Sequence, residues 1–406
     1  MVKIPAFEVE QWMDRYENTP GVLNIAETCC SSISIDQLVQ FNSDQQSNAH
    51  PLIDFSKPMT YGPIRGSDEL RRNIVAMYNE DVDTRTAVAP LSTENVIVTQ
   101  GAISANHLVF YSLVGPGDHV ICVLPTYQQL YSIPESLGAE VSLWKLRPEN
   151  GYIPDVAELD TSIRDNTKMI VINNPNNPTG ATIPKEVLAK IIDIAQKHGI
   201  IVLSDEVYRP LFHSLEPGNI PPSALGLGYP KVVVTSSMSK SWALAGIRVG
   251  WVASLDASII ETIASARDYT TISVSQLDDQ VARYALSASV RPQLLARNIS
   301  LAKENIQLLE QFIQDHSNVC SWVKPTAGTT AFVQFKDKKG APVDDEAFCK
   351  DVLDKTKVMF LPGSRCFGYG QASSFDGFVR IGYVNETEIL RQALEKLGSY
   401  LVDNLE

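Results

Sequence analysis

The sequence predicts an α/β fold: a mainly parallel sheet covered by helices on both faces, joined to a smaller α+β unit. Two observations carry this. Between about residues 94 and 240, short β-branched runs alternate with long helical stretches, the pattern of strand–helix–strand units. From about residue 285 the alternation stops, and a long helix leads into TTAFVQFKD, another helix and FVRIGYV.

Taken in order, residues 8–20 read as an amphipathic helix ending near Pro20, and GVLNIAETCC as an extended entry segment. SDELRRNIVAMYNED, 67–81, has helical periodicity, with Leu70, Ile74, Val75 and Tyr78 toward one side. ENVIVTQG, 94–101, is a strand ending in glycine, and SANHLVFYSLV is the next helix. HVICVLPTY, 119–127, is a buried strand followed by a turn; AEVSLWKL and KMIVINNP follow. PKEVLAKIIDIAQKHG is a helix with Pro184 at its start and Gly199 at its end. GIIVLSDEVY and KVVVTSSMS are the next strands. Beyond them come a helix over 298–315, TTAFVQFKD, a helix near 344–355, KVMFLPGS, FVRIGYV and a terminal helix from 385. The expected division is an N-terminal segment, 1–50, packing on the small unit; a large domain, 51–290; and a small C-terminal domain, 291–406.

Bulk properties narrow the function. A chain of 406 residues holds one large domain and a smaller one. Its formal net charge of -13, with no basic stripe, argues against nucleic acid as a partner. The six cysteines, at 29, 30, 122, 320, 349 and 366, contain no CxxC. Adjacent Cys29 and Cys30 are not expected to bond each other, and a reduced, cytosolic-type setting fits. The six histidines are scattered without metal spacing, so no metal is expected. MVKIPAFEVEQWMDRYE lacks the apolar core of a secretory signal. No stretch approaches the ~20 apolar residues of a membrane span. A cytoplasmic place follows by default.

Four polar signals sit at strand ends, where open α/β sheets hold ligands. In TQGAIS, 99–104, a glycine at a strand-to-helix junction bares backbone N–H groups toward an anion. In NNPNNPTG, 173–180, two Asn-Pro pairs form a loop stiffer than a turn requires. The Asn177 amide there suits a phenolic or carboxylate oxygen. In VLSDEVY, Asp205 ends an apolar strand. A buried carboxylate needs a partner, and a protonated ring nitrogen is one. Tyr208 lies three residues on, and Glu206 is expected to face solvent or cap a helix. The fourth signal is TSSMSKSWALAGIRVGW, 235–251. Its Lys240 is either a solvated lysine at a helix start or a covalent catalyst. Ser237, Ser239 and Arg248 around it suit a phosphate. Together the four describe a ligand that is aromatic, phosphorylated and aldehyde-bearing.

These blocks, with YGPIRGSDELR, LPTY, LPGSRCF and FVRIGY, run in the order of a known family from about residue 55 to 385. The sequence resembles the class I/II aminotransferases, fold-type I enzymes that use pyridoxal 5'-phosphate. The resemblance implies a seven-stranded-type sheet and a homodimer with shared active sites. It implies that Lys240 forms a Schiff base with the cofactor and shuttles protons. Asp205 would keep the pyridine nitrogen protonated, and Asn177 and Tyr208 would contact the 3'-oxygen. Ser237, Ser239 and Arg248, with the backbone of Gly101, Ala102 and Ile103, would hold the phosphate. Tyr127 would stack on the ring, and Tyr61 would reach the neighbouring subunit's phosphate. Arg380 would bind the substrate α-carboxylate; read alone, it is also an edge-strand charge.

The resemblance implies amino acid and 2-oxo acid substrates and amino-group transfer. The same core motifs also serve β- or γ-elimination, such as C–S cleavage, or a cyclisation like that of aminocyclopropane-carboxylate synthase. A cofactor-binding regulator is the non-enzymatic alternative. It would carry a DNA-binding domain, and the chain starts too close to the enzyme fold for one. The family's glycine-containing N-terminal stretch is replaced here by LNIAETCCSSISIDQL. This places Glu27 and Thr28 near the substrate side chain. Arg267 is a loosely placed contributor across subunits. Cys366 is expected to fill space, and Trp242 to pack under the lysine turn.

Overall fold

The computed structural model describes residues 4–44, 52–80, 90–370 and 375–406. The expected boundary between residues 50 and 51 lies outside them. The strands, in chain order, are β1 (Leu23–Asn24), β2 (Val96–Thr99), β3 (His119–Leu124), β4 (Glu140–Lys145), β5 (Thr167–Asn173), β6 (Ile201–Asp205) and β7 (Val232–Ser237). Then come β8 (Gly250–Ser254), β9 (Cys320–Trp322), β10 (Thr330–Phe335), β11 (Val358–Met359), β12 (Leu361–Pro362) and β13 (Phe378–Gly382). The first four helices are α1 (Glu8–Tyr16), α2 (Ile35–Gln40), α3 (Asp68–Glu80) and α4 (Gly101–Leu113).

Seven strands form one sheet in the order β2-β8-β7-β6-β5-β3-β4. The pairs β3/β4, β3/β5, β5/β6 and β6/β7 are parallel. Strand β8 alone runs against its neighbours β7 and β2. Every residue of β2, β3, β6, β7 and β8 is buried, whereas the edge strand β4 is only partly so. Burial on both faces explains why these segments read as unbroken apolar runs rather than alternating ones.

This topology places the site. Residues Thr99, Leu124, Asn173, Asp205 and Ser237 end their strands on the same edge of the sheet. Strand β8 is reversed, so its beginning lies there instead: Gly250 pairs with both Thr99 and Ser237. Arg248, two residues before, is thereby delivered to the same edge.

The second sheet is antiparallel, in the order β12-β13-β10-β9. Strand β1 pairs in parallel with β11, which ties the N-terminal segment to the C-terminal part of the chain.

Several elements differ from expectation. The first helix ends at Tyr16, because the chain turns through Thr19 and Gly21, the latter at φ 74, ahead of the next strand. The long helix begins at Arg291 rather than 298, with a proline in its first turn, where the missing N–H costs nothing. Strands β8 and β9 were not expected; in the sequence they are short runs beside stronger motifs. Of the helix or tight turn expected at Ser237, Ser239 and Lys240, the chain takes the turn, followed by the short 3₁₀ turn Ala245–Ile247.

Candidate active site

The strand ends converge on a cavity of about 530 Å³. Lys240, Asp205, Asn177, Tyr208, Tyr127, Ser237, Ser239, Arg248 and Arg380 all line it, as do Ala102, Ile103, Glu27 and Thr28.

Asp205 is 3% exposed. Its carboxylate accepts from Asn106 Nδ2 at 2.9 Å and from the Val207 N–H at 3.1 Å. Asn106 is itself fixed, because the Thr235 hydroxyl donates to its Oδ1 at 2.6 Å. Burial raises the Asp205 pKa above the usual carboxylate range, against these hydrogen bonds and the Lys240 charge. The site therefore holds a buried carboxylate that, among the described residues, forms no direct ion pair. A protonated ring nitrogen would complete one.

One side of the cavity suits an anion. Helix α4 begins at Gly101 and points its first N–H groups into the site, beside Ala102 and Ile103. Arg248, at φ 53, donates Nη1 to Ala245 O at 2.9 Å and to Ser239 Oγ at 3.4 Å. A Cβ on Gly101 would lie 2.8 Å from Arg248 Nη2, and Gly101 is at φ 77. Position 101 thus needs glycine for its conformation, and the Arg248 guanidinium packs closely against it. Gly250 is held likewise, since a Cβ there would meet the Gly101 carbonyl carbon at 2.5 Å. The phosphate of a cofactor fits this cradle.

The opposite side holds Arg380, which is 3% exposed and donates Nη1 to Asn177 Oδ1 at 3.2 Å. Its Nη2 donates to Ala26 O at 2.8 Å, and its buried Nε has no partner. Strand β13 lies between β12 and β10, so Arg380 is no edge-strand charge. Asn177 is anchored by its N–H to Asn173 Oδ1 at 2.7 Å. Tyr208 is 2% exposed, and burial raises its pKa although Lys240 and Arg380 pull it down. Tyr127 donates its hydroxyl to Glu10 Oε1 at 2.9 Å.

Lys240 Nζ stands among residues 27–29. It donates to Thr28 Oγ1 at 2.6 Å and to Cys29 Sγ at 3.4 Å, and Glu27 Oε1 lies 3.8 Å away. Burial works against the ammonium, but Cys29, Tyr208 and Glu27 outweigh it and raise its pKa. Burial pushes the Cys29 thiol up to about 11, against the pull of Lys240. The anion facing Lys240 at neutral pH is therefore Glu27. Burial would raise the Glu27 pKa, but Lys240 and N–H groups from Cys29 and Thr28 lower it to about 2. The segment is fastened to the lysine turn by Cys30 N–H to Lys240 O, 3.3 Å, and Ile33 N–H to Ala243 O, 3.2 Å.

The aminotransferase class I and II family model matches residues 36–397. The chain belongs to that family. A solved structure of a PLP-dependent aminotransferase from Streptococcus suis superposes with a TM-score of 0.87 and 37% identity, covering 100% of this chain and 99% of that one. Aspartate aminotransferase of Pyrococcus horikoshii is 29% identical over 343 residues, 84% of this chain and 83% of its own. Capreomycidine synthase of Streptomyces vinaceus is also 29% identical, over 84% of this chain and 81% of its own. The fold is fold-type I, with the seven-stranded sheet and a smaller sheet beside it.

Within the family fold, Arg267 falls elsewhere than expected and Glu206 keeps only one of its two readings. Tyr61 is 80% exposed and is not part of its own chain's cavity. Glu206 is 2% exposed, so the solvent reading fails; it accepts the Ala224 N–H at 2.9 Å at the start of a short 3₁₀ turn. Arg267 is not free to reach across subunits. It is 1% exposed and binds Val98 O at 3.0 Å, with Nη1 on Ile64 O and Ile272 O. Burial lowers its pKa to about 10. Trp242 is fully buried beneath the turn and Cys366 is buried as a space filler.

Two parts of the site escaped the sequence reading. Asn106 gave a faint signal as an amide in an otherwise apolar helix. Helix α1 gave none, because its place beside the cavity depends on chain more than a hundred residues away.

Proposed function

We propose that this chain binds pyridoxal 5'-phosphate through Lys240 and transfers the amino group of an α-amino acid to a 2-oxo acid. The observation that carries the reading is the meeting of Lys240, a buried Asp205 and a helix-start anion cradle in one cavity. Bound there, the cofactor supplies an aldehyde that takes the amino group and a ring that withdraws electrons from the substrate Cα. Asp205 keeps a proton on the ring nitrogen, with Asn106 fixing the carboxylate. Asn177 and Tyr208 orient the ring through its 3'-oxygen, and Tyr127 covers its face. Gly101, Ala102, Ile103, Ser237, Ser239 and Arg248 hold the phosphate. Arg380 grips the α-carboxylate, presenting the Cα proton to Lys240, which takes it up and returns it.

The working unit is a homodimer. Tyr61 is exposed beside Phe55 (90%), Met59 (57%) and Ile64 (55%), a surface that a second copy would cover while Tyr61 enters its phosphate site. The division at 1–50, 51–290 and 291–406 is supported by the sheets, since β2 to β8 and β9 to β13 never mix.

The test uses the purified protein with one amino acid at a time and no oxo acid. Transfer leaves the cofactor in its amine form after one turnover, because the amino group has nowhere else to go. A second reading, elimination or cyclisation, is favoured by the contacts of Thr28, Cys29 and Glu27 with Lys240 Nζ, which give the lysine other proton partners. It predicts repeated turnover without an amino acceptor, with ammonia or a ring product released.

A further inference from the structure

We propose that the amino acid taken by this site carries a long cationic side chain, a guanidinium or an ammonium, recognised by carboxylates of α1 and by Glu27. The inference rests on the reading of the site given above and names its substrate class.

The charges lining the cavity do not cancel once that reading is applied. Among the described residues, the lining cations are Lys240, Arg248 and Arg380; the lining carboxylates are Glu10, Asp14, Glu17, Glu27 and Asp205. The cofactor phosphate matches Arg248, the substrate carboxylate matches Arg380, and the ring nitrogen matches Asp205. Lys240, once bonded to the cofactor, would no longer face Glu27 as a free ammonium. Glu10, Asp14, Glu17 and Glu27 remain, with no lining cation left to face them.

These four are arranged, not scattered. Glu10, Asp14 and Glu17 follow one another at spacings of four and three along α1 and its C-cap, which puts them on one helix face. That face lines the cavity on its solvent side. Glu27 lies deeper, at 3.8 Å from Lys240 Nζ.

Glu27 supplies the independent observation. Its carboxylate is held ionised chiefly by Lys240, against burial. Loading the cofactor removes that ammonium and leaves a partly buried carboxylate without its cation, which is unfavourable. A cationic substrate arm restores the pair. A long arm with its charge at the end can also reach the α1 face, and a guanidinium offers carboxylates a paired fork. A dicarboxylic amino acid would bring a second anion to a wall with no cation to receive it.

The experiment titrates the cofactor-loaded protein with L-arginine, L-lysine, L-citrulline, L-norleucine and L-glutamate, reading the cofactor absorption band. Citrulline and norleucine copy the shapes of the first two without charge. Arginine and lysine are expected to act at concentrations about 10- to 100-fold below their neutral counterparts, and glutamate to be poorest. High salt should narrow that preference. In the double variant Asp14→Asn/Glu17→Gln, the arginine requirement should rise about 3- to 10-fold while the citrulline requirement and the cofactor band stay put. Citrulline matching arginine, glutamate leading the series, or an unchanged arginine requirement in the double variant would overturn the inference. Reaction with neutral or acidic amino acids alone would remove the inference and keep the reading of the site. Failure of every amino acid to alter the band would remove both.

Discussion

The two walls of the cavity are built differently. On the sheet side, Asp205 and Ser237 end buried strands, Asn177 lies in the turn after another, and the α4 N-terminus follows a fourth. Their partners are themselves fixed: Thr235 holds Asn106, which holds Asp205. On the N-terminal side, Glu10, Asp14 and Glu17 are exposed on a single helix, and Glu27 to Cys29 lie in a loop pinned by its own backbone. The groups proposed to react stand among buried strands. The groups proposed to meet the substrate stand where a side chain can change without disturbing the sheet.

Substitutions in the sheet-side wall are expected to have the largest effects. Lys240→Ala should abolish turnover, by roughly 10⁴-fold, since both covalent attachment and proton transfer go with it. Borohydride should then fix no adduct, and a labelled peptide containing another lysine would contradict the assignment. Asp205→Asn should keep the attached cofactor but lower kcat roughly 10²- to 10³-fold, because a neutral partner no longer holds the ring proton. Near-normal kcat with saturated cofactor would place the ring's partner elsewhere.

Smaller effects test the boundary between the walls. Arg380→Lys should raise KM roughly 10- to 100-fold for every amino acid tried, because the ammonium lacks the fork. An effect confined to some side chains would mean that Arg380 belongs to the selective wall. The smallest effect expected is on stability. Glu27 has its pKa lowered to about 2, so its pairing with Lys240 stabilises the cofactor-free fold fully above the ordinary carboxylate range. That contribution fades as pH falls through about 2. Glu27→Gln should flatten the acid limb of an unfolding titration followed by circular dichroism, by less than about 1 kcal/mol given its exposure. An unchanged acid limb would show that the pair contributes nothing to the fold.

The two walls also differed in how far they could be read from sequence. The sheet wall is written locally: Gly101, Asn177, Asp205 and Lys240 each stand a residue or a few past an apolar run, and strand polarity brings such positions together. Strand β8 shows the limit. Its five residues give no pattern apart from the motif before them, yet its reversal is what brings Arg248 to the site. Arg267 and Glu206 look like surface charges in sequence. Only the fold shows that backbone carbonyls 203 and 169 residues away accept from the former, and that a 3₁₀ turn 18 residues on donates to the latter. The place of α1 beside the cavity had no such signal, because no local rule says which strand ends a first helix will cover.

The joint between Arg380 and the N-terminal loop has a consequence for synthesis. Arg380 Nη2 reaches Ala26 O across 354 residues of chain, and Gly382 is so close to Glu27 that a Cβ would lie 1.8 Å from its carbonyl oxygen. A ribosome releases the lysine turn, the Asp205 strand and the phosphate cradle long before it releases β13. During that interval Ala26 and Glu27 have neither Arg380 nor Gly382 to pack against. The joint that closes this side of the cavity therefore forms only once the last strand of the smaller sheet has been made.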